Sequence, residues 1–280
     1  MSRTPRRRIL ARSVVLDRAL EALPVFRLSD SGEEVAITFA ADGGGRWRVL
    51  PAPNERLPGT FDQDVYVELL RRYNEAEAPA DGVLAFTLHD FLRTMGRRVD
   101  GRTYEQLRSA LNRLQRTTLE STDAWFDAAS GTRWSGQFTI LSAVSIDRRR
   151  VTDRDQLALF NSLTNNEPGD AHVTLAPQLR ANIHAGHTVA LTAARYGQLS
   201  SPVARRLYRL LQVARLEAGK TWEVPLERLA EQLPLTQRYP SHLQRVLQPA
   251  HEMLLAAGVL RSAVVAQHDK SWTATYQLSE

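Results

Sequence analysis

The sequence predicts an α+β fold, mainly helical, in which a unit of three helices and a two-stranded hairpin occurs twice behind an N-terminal β-hairpin extension. Three observations carry this. In Gly101–Ser121, Leu107, Leu111 and Leu114 recur at i, i+4 and i+7 with Ala110 beside them, an apolar stripe along one helix face. Apolar positions of the first half return in the second at a constant offset: Val224, Leu226, Leu229 and Leu233 stand 138 residues after Phe86, Leu88, Phe91 and Met95. Each copy then closes on two strand-like segments around a polar turn.

The 280 residues suit two domains of ordinary size. No apolar run approaches the ~20 residues of a membrane span, and the basic N-terminus lacks the apolar segment of a signal peptide, so a cytoplasmic protein is expected. The absence of cysteine excludes disulfides and thiolate metal sites. The formal charge is +5 and the pI about 9.9. Lysine occurs only at 220 and 270, so nearly all the basic residues are arginine, the better residue for bidentate phosphate and guanine contacts. Charge makes nucleic acid the leading partner.

In chain order, residues 1–57 hold a basic arm, a short helix and a hairpin. The arm carries Arg6, Arg7 and Arg8 and either lies along a phosphate backbone or a minor groove or is a solubilising tail. Residues 14–22 read as helical; Glu34–Ala40 and Trp47–Ala52 read as strands around the turn Asp42–Gly45. The first unit, 58–146, starts with a helix at Thr60–Tyr73, with Phe61, Val65, Leu69 and Tyr73 inward, and a strand at Val83–Phe86. A second helix is capped by Thr87, faces the core with Leu88, Phe91, Leu92 and Met95, and ends at Gly96. The third helix follows, its start expected near Arg102 from a capping box of Thr103 and Gln106. Strands near Thr118–Phe126 and Arg133–Ile146 close the unit, with Trp125, Phe126, Trp134 and Phe138 as hairpin core and Trp134 left open as a base-stacking residue. This order is that of a winged helix, whose third helix enters the major groove while the hairpin touches the flanking backbone.

Residues 147–171 read as a linker with Arg148, Arg149 and Arg150 at its start and a short helix at Leu157–Leu163. The second unit, 172–280, repeats the first. Tyr208 and Leu211 match Tyr66 and Leu69, and Arg238, Leu243 and Leu247 match Arg102, Leu107 and Leu111, with Ser241–Gln244 as the third helix start. The closing hairpin is Gly258–Val265 with Ser271–Leu278. The whole is a tandem winged-helix architecture.

The polar faces of the two third helices supply the candidate DNA-binding residues. They are Arg102, Tyr104, Arg108, Asn112, Arg113 and Arg116 in the first unit and Arg238, His242, Gln244, Arg245 and Gln248 in the second. Arginine and asparagine read guanine and adenine edges and hold phosphates. Backbone contacts are expected from the arm, Arg133, Arg148–Arg150 and Lys270. Two unlike third helices in one chain suit an asymmetric site of the kind arrayed as direct repeats.

Three segments resemble the bacterial plasmid replication initiator protein A family: LPGTFDQDVYVELLRRYNE (57–75), RTYEQLRSALNRLQRTTLES (102–121) and NIHAGHTVALTAARYGQLSSPVARRLYRLLQ (182–212). The resemblance covers most of 34–215. Its specific elements are Phe61-Asp62-x-Asp64, Arg102-Thr103-Tyr104 with Leu107 and Leu111, and Pro202-Val203-Ala204-Arg205-Arg206-Leu207-Tyr208. It implies a tandem winged-helix initiator that binds iterons at a plasmid origin, helps open AT-rich DNA, recruits the host initiator and helicase, and dimerises through the first winged helix to repress its own gene. It implies no cofactor, metal or catalytic residue.

Three catalytic patterns fall away. Ala214-x4-Gly219-Lys220-Thr221 has the loose form of a nucleotide loop, but it follows an amphipathic helix and precedes a strand, the reverse of what phosphate binding needs. His184 and His187 have neither the spacing of a nicking enzyme nor a helical zinc pair. Asp153 and Asp155 lie in a charged stretch with no apolar strand before them. The sequence therefore points to a non-catalytic replication initiator. A dimeric winged-helix transcriptional regulator is the alternative, and a relaxase or primase is a third possibility.

Overall fold

The computed structural model describes residues 13–28, 36–146, 171–269 and 271–279. The arginine arm, residues 147–170 with Arg148, Arg149, Arg150, Asp153, Asp155 and the expected helix at Leu157–Leu163, and Lys270 lie outside the described residues. Nine helices and twelve strands occur among the described residues, so the chain is mixed α and β rather than mainly helical.

The N-terminal segment departs from the expected helix. Residues Ser13–Asp17 form strand β1, antiparallel to β9 (Thr188–Thr192), and only Arg18–Glu21 turn into a helix, α1. The reason is local and tertiary at once. Val14 and Val15 are β-branched, and Val14 and Leu16 alternate into the core while Asp17 breaks the strand by capping α1, its Oδ1 accepting the Ala19 amide at 3.0 Å.

Helix α2 (Thr60–Glu75) is central to the first unit. Val65, Tyr66, Leu69, Leu70 and Tyr73 are buried, and polar Gln63, Asp64, Glu68 and Arg71 are buried with them. Strand β4 (Val83–Phe86) and helix α3 (Leu88–Thr94) follow, α3 capped by Thr87 Oγ1, which accepts the Asp90 amide at 3.0 Å. Helix α4 (Gly101–Arg116) buries Leu107, Ala110, Leu111 and Leu114 against α2, α3 and β7 (Leu141–Ile146). Its cap is Asp100 rather than the expected Thr103–Gln106 box. Asp100 Oδ1 accepts the Thr103 amide at 2.9 Å, and Thr103 Oγ1 accepts the Asp100 amide at 3.1 Å. A carboxylate is favoured there by the unpaired N–H groups of the first turn.

The expected wing over Thr118–Phe126 and Arg133–Ile146 is corrected. The second segment divides into β6 (Thr132–Phe138) and β7, which belong to different sheets. Strands β5 (Thr118–Asp127) and β6 extend the N-terminal hairpin, β2 (Ile37–Ala40) and β3 (Arg46–Leu50), into a sheet of order β2-β3-β5-β6. Aromatic burial explains this choice. Phe138 packs on Trp47 and Trp125 with ring centroids 6.1 and 5.3 Å away, and Trp134 meets Trp125 edge-on at 5.8 Å. Strand β7 instead pairs with β8 (Ala171–Leu175), which pairs with β4, giving the order β4-β8-β7. Residues 147–170 thus join two antiparallel neighbours of one sheet.

Helix α5 (Pro177–His184), β9 and helix α6 (Ala193–Gln198) lead to the second unit. Its elements are α7 (Pro202–Ala218), β10 (Thr221–Pro225), α8 (Leu226–Gln232), α9 (Pro240–Ala256), β11 (Leu260–His268) and β12 (Ser271–Leu278). The sheet order β10-β12-β11 reproduces β4-β8-β7. Tyr66 and Tyr208, Leu69 and Leu211, and Phe91 and Leu229 are buried in corresponding places. Helix α9 begins at Pro240 with Tyr239 as its cap, a residue earlier than expected, and Arg238 lies ahead of the helix. Pro249 inside it has no N–H, so the Arg245 carbonyl loses its helical donor.

Candidate nucleic-acid interface

The predicted site residues fall into two groups. Burying the leucine stripe of α4 leaves Arg102, Asn112 and Arg116 exposed and Tyr104, Arg108 and Arg113 half-buried. Arg113 is committed to the fold: its guanidinium donates from Nη2 to Asp62 Oδ1 at 2.9 Å and from Nε at 3.1 Å. Arg116 pairs with Glu55, and Arg108 donates to Glu105 at 2.7 Å. The Tyr104 hydroxyl lies 3.4 Å from His89 Nδ1. Arg102 and Asn112 remain as exposed groups at opposite ends of the face, with Ser109 exposed between them.

On α9, burial of Leu243, Leu247, Ala250 and Leu254 turns His242, Arg245 and Gln248 to solvent, with Gln244 half-buried. Gln248 donates to Glu252 at 2.8 Å. Gln244 and Gln248 line a shallow hollow with His251, Ala263 and Val265, where α9 meets β11. Arg238 turns back to the Leu235 carbonyl. Arg133 is exposed on β6 and donates to the Asp123 carbonyl at 3.3 Å, on the sheet with the N-terminal hairpin and apart from β7 and β8.

Two carboxylates that sequence reasoning did not single out for a site, Glu21 and Asp64, join the units. Glu21 is buried and accepts from Arg209 Nη1 at 2.9 Å, Arg206 Nη1 at 3.3 Å and the Tyr66 hydroxyl at 3.0 Å. Arg209 also donates to Gln63 Oε1 at 2.7 Å. Asp64 accepts from Arg97 at 2.8 Å and pairs with Arg205. Further out, Arg228 of α8 pairs with Asp42 at 2.8 Å, donates to the Ala40 carbonyl at 2.6 Å and lies over the Phe39 ring at 4.0 Å. The segments around Asp62-x-Asp64 and Arg205-Arg206 are thus an interface between the units. No signal along the chain pairs Glu21 with Arg206 and Arg209, which are 185 and 188 positions away.

The remaining polar motifs take fold roles. His184 Nε2 lies 2.9 Å from the Tyr73 hydroxyl, and the His187 ring packs on Phe126. Gly219 ends α7 at φ +78 before β10. Asp17 is buried among three donors, Asn182 Nδ2 at 3.0 Å, Trp125 Nε1 at 3.1 Å and the Ala19 amide, yet burial outweighs them and pushes its carboxyl up to about 7. No described helix is long and apolar enough to cross a membrane.

Comparison with known proteins adds to this geometry. Domains 2 and 3 of RctB share the fold, with TM-scores of 0.59 and 0.53 in two crystal structures. Identity is 11%, and 94% of this chain is covered in each case, with 99% and 97% of the other chain. The Pi initiator protein in complex with iteron DNA aligns at a TM-score of 0.47 and 12% identity over 89% of this chain and all of that one, 100%. A "Putative replication protein" of Wigglesworthia glossinidia brevipalpis is 28% identical over 102 residues, 35% of this chain, and the match spans only 36% of that protein's length. The model of the family described as "Replication initiator protein A" matches residues 16–253. With that match extending through both units, from β1 to α9, the chain belongs to the replication initiator protein A family.

Proposed function

We propose that the protein is a non-catalytic initiator that binds direct repeats in duplex DNA at a plasmid or replicon origin. In this reading α2, α3 and α4 with the β4-β8-β7 sheet form one winged helix, and α7 to β12 form the other. The observation that carries it is the repetition, in a chain of this family, of a unit whose third helix buries one face and turns cationic and amide side chains outward. Arg102, Arg108 and Asn112 on α4, and His242, Gln244, Arg245 and Gln248 on α9, supply base readout. The arginine arm and Arg148–Arg150 supply phosphate contacts. Arg113, Arg116 and Arg238 act first in holding the two helices in place. Bending across two unlike readers lowers the cost of opening AT-rich steps nearby. Recruitment of the host initiator and helicase and self-association through the first unit complete the reading.

A mobility shift and footprint on the DNA flanking the gene, at two salt concentrations, test it. Salt-sensitive protection of several direct repeats is the expected result. Protection of one palindrome at the promoter marks a repressor instead. Nicking or primer synthesis on supercoiled origin DNA with Mg²⁺ contradicts the non-catalytic reading.

A further inference from the structure

Tyr239 stands immediately before the second reading helix, where its backbone caps α9 and its ring lies outside the core. It is 72% exposed, and no other aromatic residue stands among the exposed large apolar side chains of the described residues. Single exposed apolar residues are ordinary on a protein surface, so what matters about this ring is where it stands and what lies beside it. Its one ring contact is edge-on to His242, at 5.8 Å.

The backbone that carries this ring is fixed. Tyr239 precedes Pro240, and the proline ring keeps the preceding residue extended, here at φ −79 and ψ 133. The Tyr239 carbonyl accepts the amides of both His242 and Leu243 at 3.0 Å, so the residue is fastened to the first turn of α9. The side chain therefore projects from the helix start without joining the turn, and little backbone freedom remains to be lost on binding.

Its surroundings say what it meets. Arg238 and His242 are exposed beside it, and no acidic residue lies between 232 and 251 in the sequence. An aromatic ring next to an arginine, on a stretch without acidic residues, suits a polyanion that also offers apolar groups. Duplex DNA does so in the major groove, where the thymine 5-methyl group is the apolar feature and the N-terminal residues of a reading helix are the ones that reach base edges.

We propose that Tyr239 is a specificity residue of the second unit, its ring covering a thymine methyl group at the edge of the sequence read by α9. The inference rests on the proposed DNA-binding function and adds to it a residue outside the polar reading face. The ring acts by contact area and the hydroxyl is dispensable.

The test is a set of binding titrations with the full chain on a protected repeat, each thymine replaced singly by uracil to remove only its methyl group. The wild type is expected to lose about fourfold in affinity at one or two thymines, the effect of one methyl-sized apolar contact. Tyr239→Ala should show that loss on the natural site and no further loss at those thymines, whereas Tyr239→Phe should behave as the wild type. Because the ring is exposed, the melting temperature of Tyr239→Ala should equal that of the wild type, which separates a lost contact from a lost fold. Equal affinity of Tyr239→Ala and wild type, or unchanged thymine sensitivity in the variant, overturns the inference and leaves the DNA-binding function standing. Loss of the effect in Tyr239→Phe overturns it too, by assigning the contact to the hydroxyl. Altered self-association in sedimentation with unchanged DNA binding assigns the ring to a second copy of the chain and likewise overturns it. Wild type that protects no repeat at all removes the DNA-binding function and this inference with it.

Discussion

Arg113 and Asp62 form a two-pronged ion pair between a helix face read as DNA-facing and the buried helix α2: Nη2 reaches Oδ1 at 2.9 Å and Nε lies within 3.2 Å of both carboxylate oxygens. Asp62 also receives the Gly59 amide at 2.7 Å, so one carboxylate caps α2 and anchors α4. Arg113→Ala leaves that carboxylate buried without its cation and is expected to lower unfolding free energy by about 3 kcal/mol. Arg102→Ala, at an exposed position, is expected to leave the urea midpoint unchanged and weaken DNA binding. A destabilised Arg102→Ala or a fully stable Arg113→Ala would reverse these roles.

Glu21 is a buried carboxylate shared by two buried arginines at the junction of the units. Glu21→Ala leaves Arg206 and Arg209 uncompensated, and a loss of roughly 3–5 kcal/mol is expected, the range for breaking a buried pair. Chemical denaturation with fluorescence should show it as a lower midpoint. Exposed Glu217, whose partner Arg18 is 3.1 Å away, is the control, and Glu217→Ala should cost less than about 1 kcal/mol.

Two buried groups give opposite pH dependences. Burial raises Asp17 to about 7 from 3.8, so the folded state holds this proton more tightly than the unfolded state. Its contribution is fully present below 3.8 and is lost as pH rises towards 7. Burial lowers His251 to about 4 from 6.5, and its imidazole nitrogen lies 3.0 Å from the Tyr276 hydroxyl. That contribution is present above 6.5 and is lost as pH falls towards 4. Each slope is at most about 1.4 kcal/mol per pH unit, one proton's worth. Unfolding of Asp17→Asn and His251→Phe from pH 4 to 8 should each remove one slope from the wild-type profile, with opposite signs.

Gly45 closes the N-terminal hairpin beside β5, next to the paired Arg46 and Thr122. A Cβ at this position would lie 2.2 Å from the Asp123 carbonyl oxygen, a backbone atom with no room to withdraw. Gly45→Ala is expected to lower the melting temperature, whereas Gly59→Ala, whose Cβ would meet only Asp62 Oδ2 at 3.8 Å, should not clash. Equal melting temperatures would show that the hairpin yields at this close approach.

Arg245→Ala is expected to weaken specific binding by about 1–3 kcal/mol if it reaches a base, and to leave non-specific binding nearly unchanged. A uniform loss across sequences, with a salt slope reduced by about one, would make it a phosphate contact instead. Titrations on a repeat and on a scrambled duplex at several salt concentrations separate the two.

The sequence by itself determined the helices that repeat, because their burial follows a 3.6-residue period that any core-facing helix must show. Leu107, Leu111 and Leu114, the Thr87 cap and the return of the pattern at Leu226, Leu229 and Leu243 were all legible in this way. Charge and the outward side chains of α4 and α9 likewise pointed to nucleic acid. Tertiary structure alone decided which strands pair and which arginines are spent. Val14–Leu16 became a strand because β9 offered it an edge, and β6 left β7 because Phe138 found Trp47 and Trp125. Arg113, Arg205, Arg206 and Arg209 resemble surface cations when read along the chain, yet each meets a carboxylate at least 51 positions away. Periodicity is a property of neighbours along the helix, whereas strand partners and counter-ions depend on which distant segments the folded chain brings within a few ångströms.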